Sequence, residues 1–379
     1  MLSSNKKINR INKIDNTNNT NNKLDNIIDN NKNKYCLGIE STAHTFGISI
    51  VSFDGKVLSN VKKTFTTDKG GMIPSKVADH HVQFFDEILI SCLNKSNIKL
   101  NQIVLIAFSN APGLGNTLKI GQFIGKYLSI KLNVPLIGVN HCIAHLEIGR
   151  LLTKAKDPIL LYTSGANTQI IAYEANKYRI FGETLDIGVG NFLDSFAREL
   201  NLGFPGGPKI ENLALKGKNF IQLPYTVKGM DISFGGLLTH LKTIIKSKNS
   251  NDLSEQFIAD LCYSVQETIF SMLLEVSERA LAHCNKNELL LGGGVACNKR
   301  FQQMSKQMCN SRNANCFILD NEFNLDNASM IAWTGIIKYL SYNKINKTNS
   351  LNTTNQNLKI DIELKPYERT DEVIVYWRN

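Results

Sequence analysis

Two short segments with the same pattern constrain this chain most. They are Ser41-Thr42-Ala43-His44-Thr45-Phe46 and, at an offset of 123 residues, Ser164-Gly165-Ala166-Asn167-Thr168-Gln169. Each joins two apolar β-type runs across small polar residues: Tyr35–Ile39 to Phe46–Ser52 in one case, Ile159–Thr163 to Thr168–Tyr173 in the other. The offset superimposes Ser, Ala and Thr. Two such hairpins heading two α/β halves predict duplicated domains that face each other across a cleft. Small residues at the tips would let backbone N–H groups approach a phosphate. Tight turns without a ligand would use them equally well.

The segments downstream of each hairpin fit an α/β half. After the first come Val57–Lys62, a long amphipathic helix Ser75–Asn94, the strand Ile103–Phe108, the helix Leu118–Leu132 and the strand Pro135–Val139. After the second come Arg179–Gly182, helices near 191–201, 209–216, 236–247 and 254–284, the strand Glu288–Leu291, and helices near 296–309 and 326–341. Residues 1–34 are Asn/Lys-rich with few clustered apolar residues, so they read as a disordered extension. A transit peptide is the alternative, against which stand Asp15, Asp25, Asp29 and the single Arg10. The polar stretch 343–358 reads as a low-complexity surface insertion, and 359–379 as a C-terminal tail. The folded domains are therefore expected at 35–157 and 158–342.

Composition narrows the setting. No run of eighteen apolar residues is present, as a spanning helix would need, and the N-terminus is polar. A soluble, non-secreted protein without a membrane partner is expected. The eight cysteines form no CxxC pair, so neither a zinc knuckle nor a disulfide framework is written in their spacing, and a reducing compartment is the default. The net charge is +10, of which residues 1–34 carry +4. The remaining +6 favours anionic partners only moderately, and solvated lysine faces would account for it too.

Asn140-His141-Cys142-Ile143-Ala144-His145-Leu146-Glu147 places two histidines at i and i+4 on one helix face, which is metal-ligand spacing. Two uninvolved surface histidines are the alternative. A zincin protease needs Glu after its first His, and Cys142 stands there. Glu288 to Asn298 runs from a strand through Gly292-Gly293-Gly294 into a helix, permitting close approach of a purine or ribose, although the glycines could equally serve packing. Asp186 and Asp194 could serve ribose or ammonium recognition, or cap helices. Pro205-Gly206-Gly207-Pro208 leads rigidly into a helix with Glu211 near its N-terminus, where the dipole favours it. Lys228 to Gly236 is a polar, glycine-bearing loop able to close over a ligand. Asp326, with Asn327 beside it, reads alone as a helix N-cap.

Taken together, these segments resemble the universal tRNA threonylcarbamoyladenosine family over residues 35–340 and the tail. The residues that carry the resemblance are Gly38 to Thr45, Gly138 to His145, Tyr162 to Gln169, Val227 to Asp231 and Gly293 to Asn298, in the family's order. Arg369-Thr370-Asp371-Glu372-Val373 with Trp377-Arg378 is similar to the archaeal and eukaryotic branch, the catalytic subunit of the KEOPS complex. The resemblance implies an α/β fold of two duplicated actin/Hsp70/sugar-kinase-like (ASKHA) domains around a central cleft. It also implies transfer of threonylcarbamoyl from threonylcarbamoyl-AMP to N6 of the adenosine beside the anticodon, in tRNAs reading codons that begin with A. One divalent metal ion per subunit, iron, zinc or magnesium, is implied on His141, His145, Tyr162 and Asp326. Tyr162, Thr163, Ser164, Gly165, Ala166, Asp194, Gly207, Glu211 and Asn298 are implied to bind the adenylate. Implied partners are tRNA and the KEOPS subunits, including an atypical kinase and a small dimerisation subunit, in cytosol and nucleus.

Two departures stand out: Ala166 replaces the family's usual second glycine, and Pro205 to Pro208 is closer to the bacterial and mitochondrial branch. No side chain is singled out as general base. Two readings from other classes are a zinc metallopeptidase, which lacks HExxH, and a non-enzymatic actin-like ATP-binding scaffold, which gives His141 and His145 no role.

Overall fold

The computed structural model describes residues 33–67, 73–248, 254–349 and 362–378. Its first half comprises β1 (Tyr35–Glu40), β2 (Thr45–Ser52), β3 (Val57–Thr64), α1 (Pro74–Ser96), β4 (Ile103–Ala111), α2 (Gly115–Leu132), β5 (Leu136–Asn140) and α3 (His141–Thr153). The second half comprises β6 (Ile159–Thr163), β7 (Thr168–Glu174), β8 (Lys177–Glu183), α4 (Val189–Glu199), α5 (Gly207–Ala214), β9 (Val227–Lys228), β10 (Asp231–Ile232) and α6 (Gly235–Ser247). It continues through α7 (Glu255–His283), β11 (Glu288–Gly292), α8 (Lys299–Ser311), β12 (Asn315–Ile318), α9 (Asn321–Asn324) and α10 (Ala328–Asn349).

The two main sheets share one topology. The first runs β3-β2-β1-β4-β5 and the second β8-β7-β6-β11-β12. In each, the hairpin strands are antiparallel, whereas the strands on the other side of the first strand are parallel to it. The duplication expected from the hairpins is thus present strand for strand. The central strands carry unbroken apolar runs such as Leu289, Leu290 and Leu291, all fully buried, as strands covered on both faces do. Burying a side chain of that size contributes about 1.5–3 kcal/mol.

Helix α10 ends the second half but packs on the first sheet. Its Met330, Ile331, Ala332 and Ile336 share a core with Cys36, Leu105, Ile137 and Val139. Contact is close enough that a Cβ on Gly38 would lie 2.3 Å from the Ala328 carbonyl oxygen. This return of the chain delivers Asp326, two residues before α10, to the edge of the first domain. On the same sheet Asn140 caps α3: its Oδ1 accepts from the N–H groups of Cys142 and Ile143 at 3.1 and 3.3 Å. The helix therefore opens at His141, and His145 stands one turn further on.

Several expectations shift. The strand β12 and the short pair β9 and β10 add to the expected elements. Helix α8 starts at Lys299, after a 3₁₀ turn Gly294–Cys297, rather than near 296. Helix α10 continues to Asn349, so the polar stretch from Asn343 opens as helix; its remainder lies outside the described residues, as does nearly all of the 1–34 extension. The tail crosses both halves: Ile362 and Leu364 pack on the first core, while Val375 and Trp377 pack beside α3. Among the described residues one helix, α7, is long and apolar enough to cross a membrane, yet 72% of that window is buried inside the fold.

Candidate metal centre and adenylate wall

Where β5 ends and α3 begins, His141 and His145 turn toward Asp326. One ligand atom from each of the three lies within 4.8 Å of the others. Nε2 of His141 is 3.2 Å, and Nε2 of His145 3.5 Å, from Oδ1 of Asp326. The Tyr162 hydroxyl at the end of β6 is 3.1 Å from His141 Nε2, and its ring centroid is 5.0 Å from that of His145. All four expected ligands are therefore together. Asp326 does not cap α10; Oδ1 of Asn327 accepts from the Met330 N–H at 3.1 Å instead. The Asp326 carboxylate is left to face the histidines.

Both ring nitrogens of His145 are buried and make no hydrogen bond. Buried polar atoms are almost always paired, and two imidazoles with a carboxylate are a donor set for a divalent cation. His141, His145 and Asp326 could hold such an ion. Glu40 completes the surroundings: its Oε2 lies 3.0 Å from His141 Nδ1, and its Oε1 accepts from the N–H and hydroxyl of Thr42 at 2.7 and 2.5 Å. That leaves Nε2 of His141 as the atom turned to the centre.

The charges agree with this arrangement. Burial opposes a charge on His141, but Glu40, Tyr162 and Asp326 together hold its pKa well above the usual histidine value. Burial likewise opposes ionisation of Asp326, yet the charge and hydrogen bond of His141, with the His145 imidazole 3.5 Å away, hold its pKa well below the carboxylate range. Desolvation lowers His145 and raises Tyr162. The site thus favours positive charge at His141 and a neutral ring at His145. Burial also pushes the neighbouring Cys142 thiol up to about 11.

Hydrogen bonds link several segments that carry the expected adenylate residues in the second half. The Ser164 carbonyl accepts from the N–H of Gly190 at 3.0 Å, and that of Gly165 from Asn191 at 2.9 Å, tying the β6–β7 hairpin to the start of α4. Asp194, one turn along α4, accepts from the Gly206 N–H at 2.7 Å, and its pKa is raised by burial. Glu211 accepts from the Lys299 N–H at 2.7 Å, linking α5 to α8. Asn298 is engaged twice, capping α8 through the Phe301 N–H and donating to Gln266 Oε1 at 2.9 Å. Gly293 has φ +91°, and a Cβ there would sit 2.4 Å from the Thr163 carbonyl oxygen, so that turn admits only glycine. A Cβ on Gly207 would meet nothing within 4 Å, and Gly165 and Ala166 are exposed. Ala166 thus stands in an exposed part of the hairpin.

Asp186 proves structural. Its carboxylate accepts from Ser233 and from the N–H groups of Phe234, Gly235 and Ile187, anchoring the 231–235 loop. Despite partial burial, these bonds hold its pKa at about 2. Glu147, the nearest acid along α3, is committed to Arg150, Tyr178 and Trp377. Glu40 is committed to His141 and Thr42. Both acids nearest the histidines are thus engaged in hydrogen bonds within the fold.

The sequence model of the family described as tRNA N6-adenosine threonylcarbamoyltransferase matches residues 56–333. An enzyme of that name from Thermococcus gammatolerans is 48% identical over 90% of this chain and 99% of its own length. The chain belongs to this family. A probable member from Dictyostelium discoideum is 45% identical over 91% of the chain and 99% of its length. A probable bifunctional tRNA threonylcarbamoyladenosine biosynthesis protein from Methanocaldococcus jannaschii is 48% identical, and the chain spans 60% of its length. Among solved structures, Thermococcus kodakarensis HypF superimposes with TM-score 0.57 at 16% identity, over 82% of this chain and 48% of that one. That likeness is one of fold, the duplicated ASKHA architecture.

Proposed function

We propose that this chain transfers the threonylcarbamoyl group from threonylcarbamoyl-AMP to N6 of the adenosine beside the anticodon of tRNAs that read codons beginning with A. The observation that carries the reading is the pairing of a buried two-histidine, one-carboxylate cluster with a glycine-rich wall, within a member of this family. The Tyr162 hydroxyl joins His141, His145 and Asp326 as fourth metal ligand. Ser164, Gly165, Ala166, Asp194, Gly207, Glu211 and Asn298 bind the adenylate, with Tyr162 and Thr163 at its edge. A divalent ion held at the cluster supplies Lewis acidity to an oxygen of the mixed anhydride. The chain itself does the rest: Glu40 fixes the tautomer and angle of His141, and the β6–β7 hairpin presents backbone N–H groups to the phosphate. Holding donor and amine in register compensates for the poor nucleophilicity of an aromatic amine.

The partners are inferred from the surface of the first half. Val82 and Ile90 on α1 and Phe123, Tyr127 and Ile130 on α2 are exposed, the last by 81%. Exposed apolar residues gathered on two adjacent helices mark an interaction face, and we assign it to the KEOPS dimerisation subunit. The atypical kinase and tRNA complete the assembly, which acts in cytosol and nucleus. The deciding experiment incubates the purified chain, with and without those partners, with threonylcarbamoyl-AMP and tRNA, and measures threonylcarbamoyladenosine by mass spectrometry. No product in the complete assembly would overturn the reading.

A further inference from the structure

One titratable side chain in the cleft has no structural duty. His44 stands at the tip of the β1–β2 hairpin, half-buried, and among the described residues neither ring nitrogen makes a hydrogen bond. Its backbone, in contrast, is pinned on every side. The His44 carbonyl accepts from the Phe65 N–H at 2.8 Å, Nε2 of His81 lies 3.0 Å from the Ala43 carbonyl oxygen, and the hydroxyls of Thr45 and Thr64 meet at 3.5 Å. The ring is thus presented from a rigid hairpin.

Its position is between the two parts of the proposed site. Two residues earlier, the Thr42 hydroxyl is 3.2 Å from His141 Nδ1. On the opposite side, the ring meets Phe204 of the second half edge-on, with centroids 6.4 Å apart, two residues before the Gly206 N–H that Asp194 accepts. Asp194 on α4, Asp326 before α10 and His81 on α1 lie near enough to interact with the ring electrostatically. Among the described residues, other candidate bases near the cleft are engaged or held protonated. Asp194 and Glu211 hold backbone N–H groups, Lys62 donates to the carbonyl oxygens of Glu322 and Asp326, and desolvation keeps the Cys297 thiol protonated, at about 11.

We infer that His44 is a catalytic residue, the base that takes the proton released when N6 of the acceptor adenosine is acylated. The inference rests on the function proposed above. As the amine nitrogen bonds to the carbamoyl carbon, the bond from that carbon to the phosphate oxygen breaks, and AMP leaves with the electron pair. The N6 proton passes to a ring nitrogen of His44 and from there to solvent. The charges of Asp194 and Asp326, which interact with the ring, stabilise the imidazolium that forms, as in other histidine bases.

The test compares wild type, H44A and H44Q in the complete assembly, under single turnover with saturating threonylcarbamoyl-AMP and tRNA. Removal of a general base typically costs about 10²–10⁴-fold. We expect both variants to lose at least about 100-fold in rate, to lack the acid limb of the wild-type pH profile, and to keep wild-type metal content, melting temperature and donor affinity. Imidazole in the buffer should restore part of the H44A rate and none of the H44Q rate. A rate within threefold of wild type would overturn the role of His44. So would a loss that keeps the acid limb, or that accompanies weaker donor binding alone. Absence of product from wild type would overturn the functional reading itself and this role with it, an outcome distinct from the others.

Discussion

Oε2 of Glu40 lies 3.0 Å from Nδ1 of His141 across 101 residues of sequence, and both side chains are buried. A carboxylate behind a metal-ligating imidazole sets its tautomer and raises its basicity, and loss of such a partner typically weakens metal affinity about 10–100-fold. E40Q should show that loss, with little change in fold, because Gln retains the volume and can still accept from Thr42. Metal titration of the wild type and variant reads it. Equal dissociation constants would mean that Glu40 serves only to pin the hairpin.

His145 gives a prediction of a different kind. Its buried ring nitrogens have no hydrogen bond to lose, so H145A should fold, and its main deficit should be metal binding and transferase activity. Metal at about 100 times its dissociation constant stabilises a protein by about 2.7 kcal/mol. For domains of this size that is a rise of several degrees in melting temperature. The wild type should show the rise and H145A should not. A variant that retained both the metal-dependent shift and activity would remove His145 from the site.

Much of this architecture is legible in the sequence, and the exceptions have physical causes. The hairpins and parallel strands are legible because buried β-runs interrupted by small polar tips have few other interpretations. The i, i+4 histidines are legible because helical spacing puts them on one face. Strand β12 escapes such reading since its four residues, Asn315 to Ile318, are edge-placed and none is fully buried. Asp326 can be read from its neighbours only as a cap, because its partners lie 181 and 185 residues away and only the return of α10 brings them together. The capping signal belongs to Asn327. Glu40 carries no spacing signal: an acid at the end of a strand acquires meaning only when β5 is laid two strands away. Asn298 shows the opposite limit, since its cap on α8 is visible in the structure while the resemblance alone assigns it to the adenylate.

The Asp186 anchor makes stability depend on pH at the acid end. Its folded pKa is about 2, against an ordinary value of 3.8. A depressed carboxylate contributes stability that is complete above the unfolded value and is lost as pH falls through about 4 toward 2. Because the residue is exposed, the contribution is screened and modest. D186N should therefore lower the melting temperature at neutral pH and narrow the gap to wild type near pH 2. A gap independent of pH would show that the loss is one of hydrogen-bond geometry and not of charge.

The exposed apolar face offers the last test, and it bears on the branch of the family to which the chain is assigned. Ile90 is 58% exposed and Phe123 71%, on adjacent helices α1 and α2, whose inner faces already bury Val77, Ile88, Leu118 and Ile124. Lysine at both outer positions leaves that core untouched, so the I90K/F123K double variant should keep the wild-type melting temperature within about a degree. Placing two charges in a partner interface should abolish co-purification with the dimerisation subunit, since desolvating an unpaired charge costs several kcal/mol. Activity of the isolated chain, expected to be low, should not change, whereas the gain on adding partners should disappear. Size-exclusion chromatography with and without the partner reads the first effect and nucleoside analysis the second. A double variant that still binds and is still activated would place the partner elsewhere on the first half. Full multiple-turnover activity of the isolated wild type at physiological salt would instead align the chain with the partner-free mitochondrial branch, which Pro205-Gly206-Gly207-Pro208 resembles.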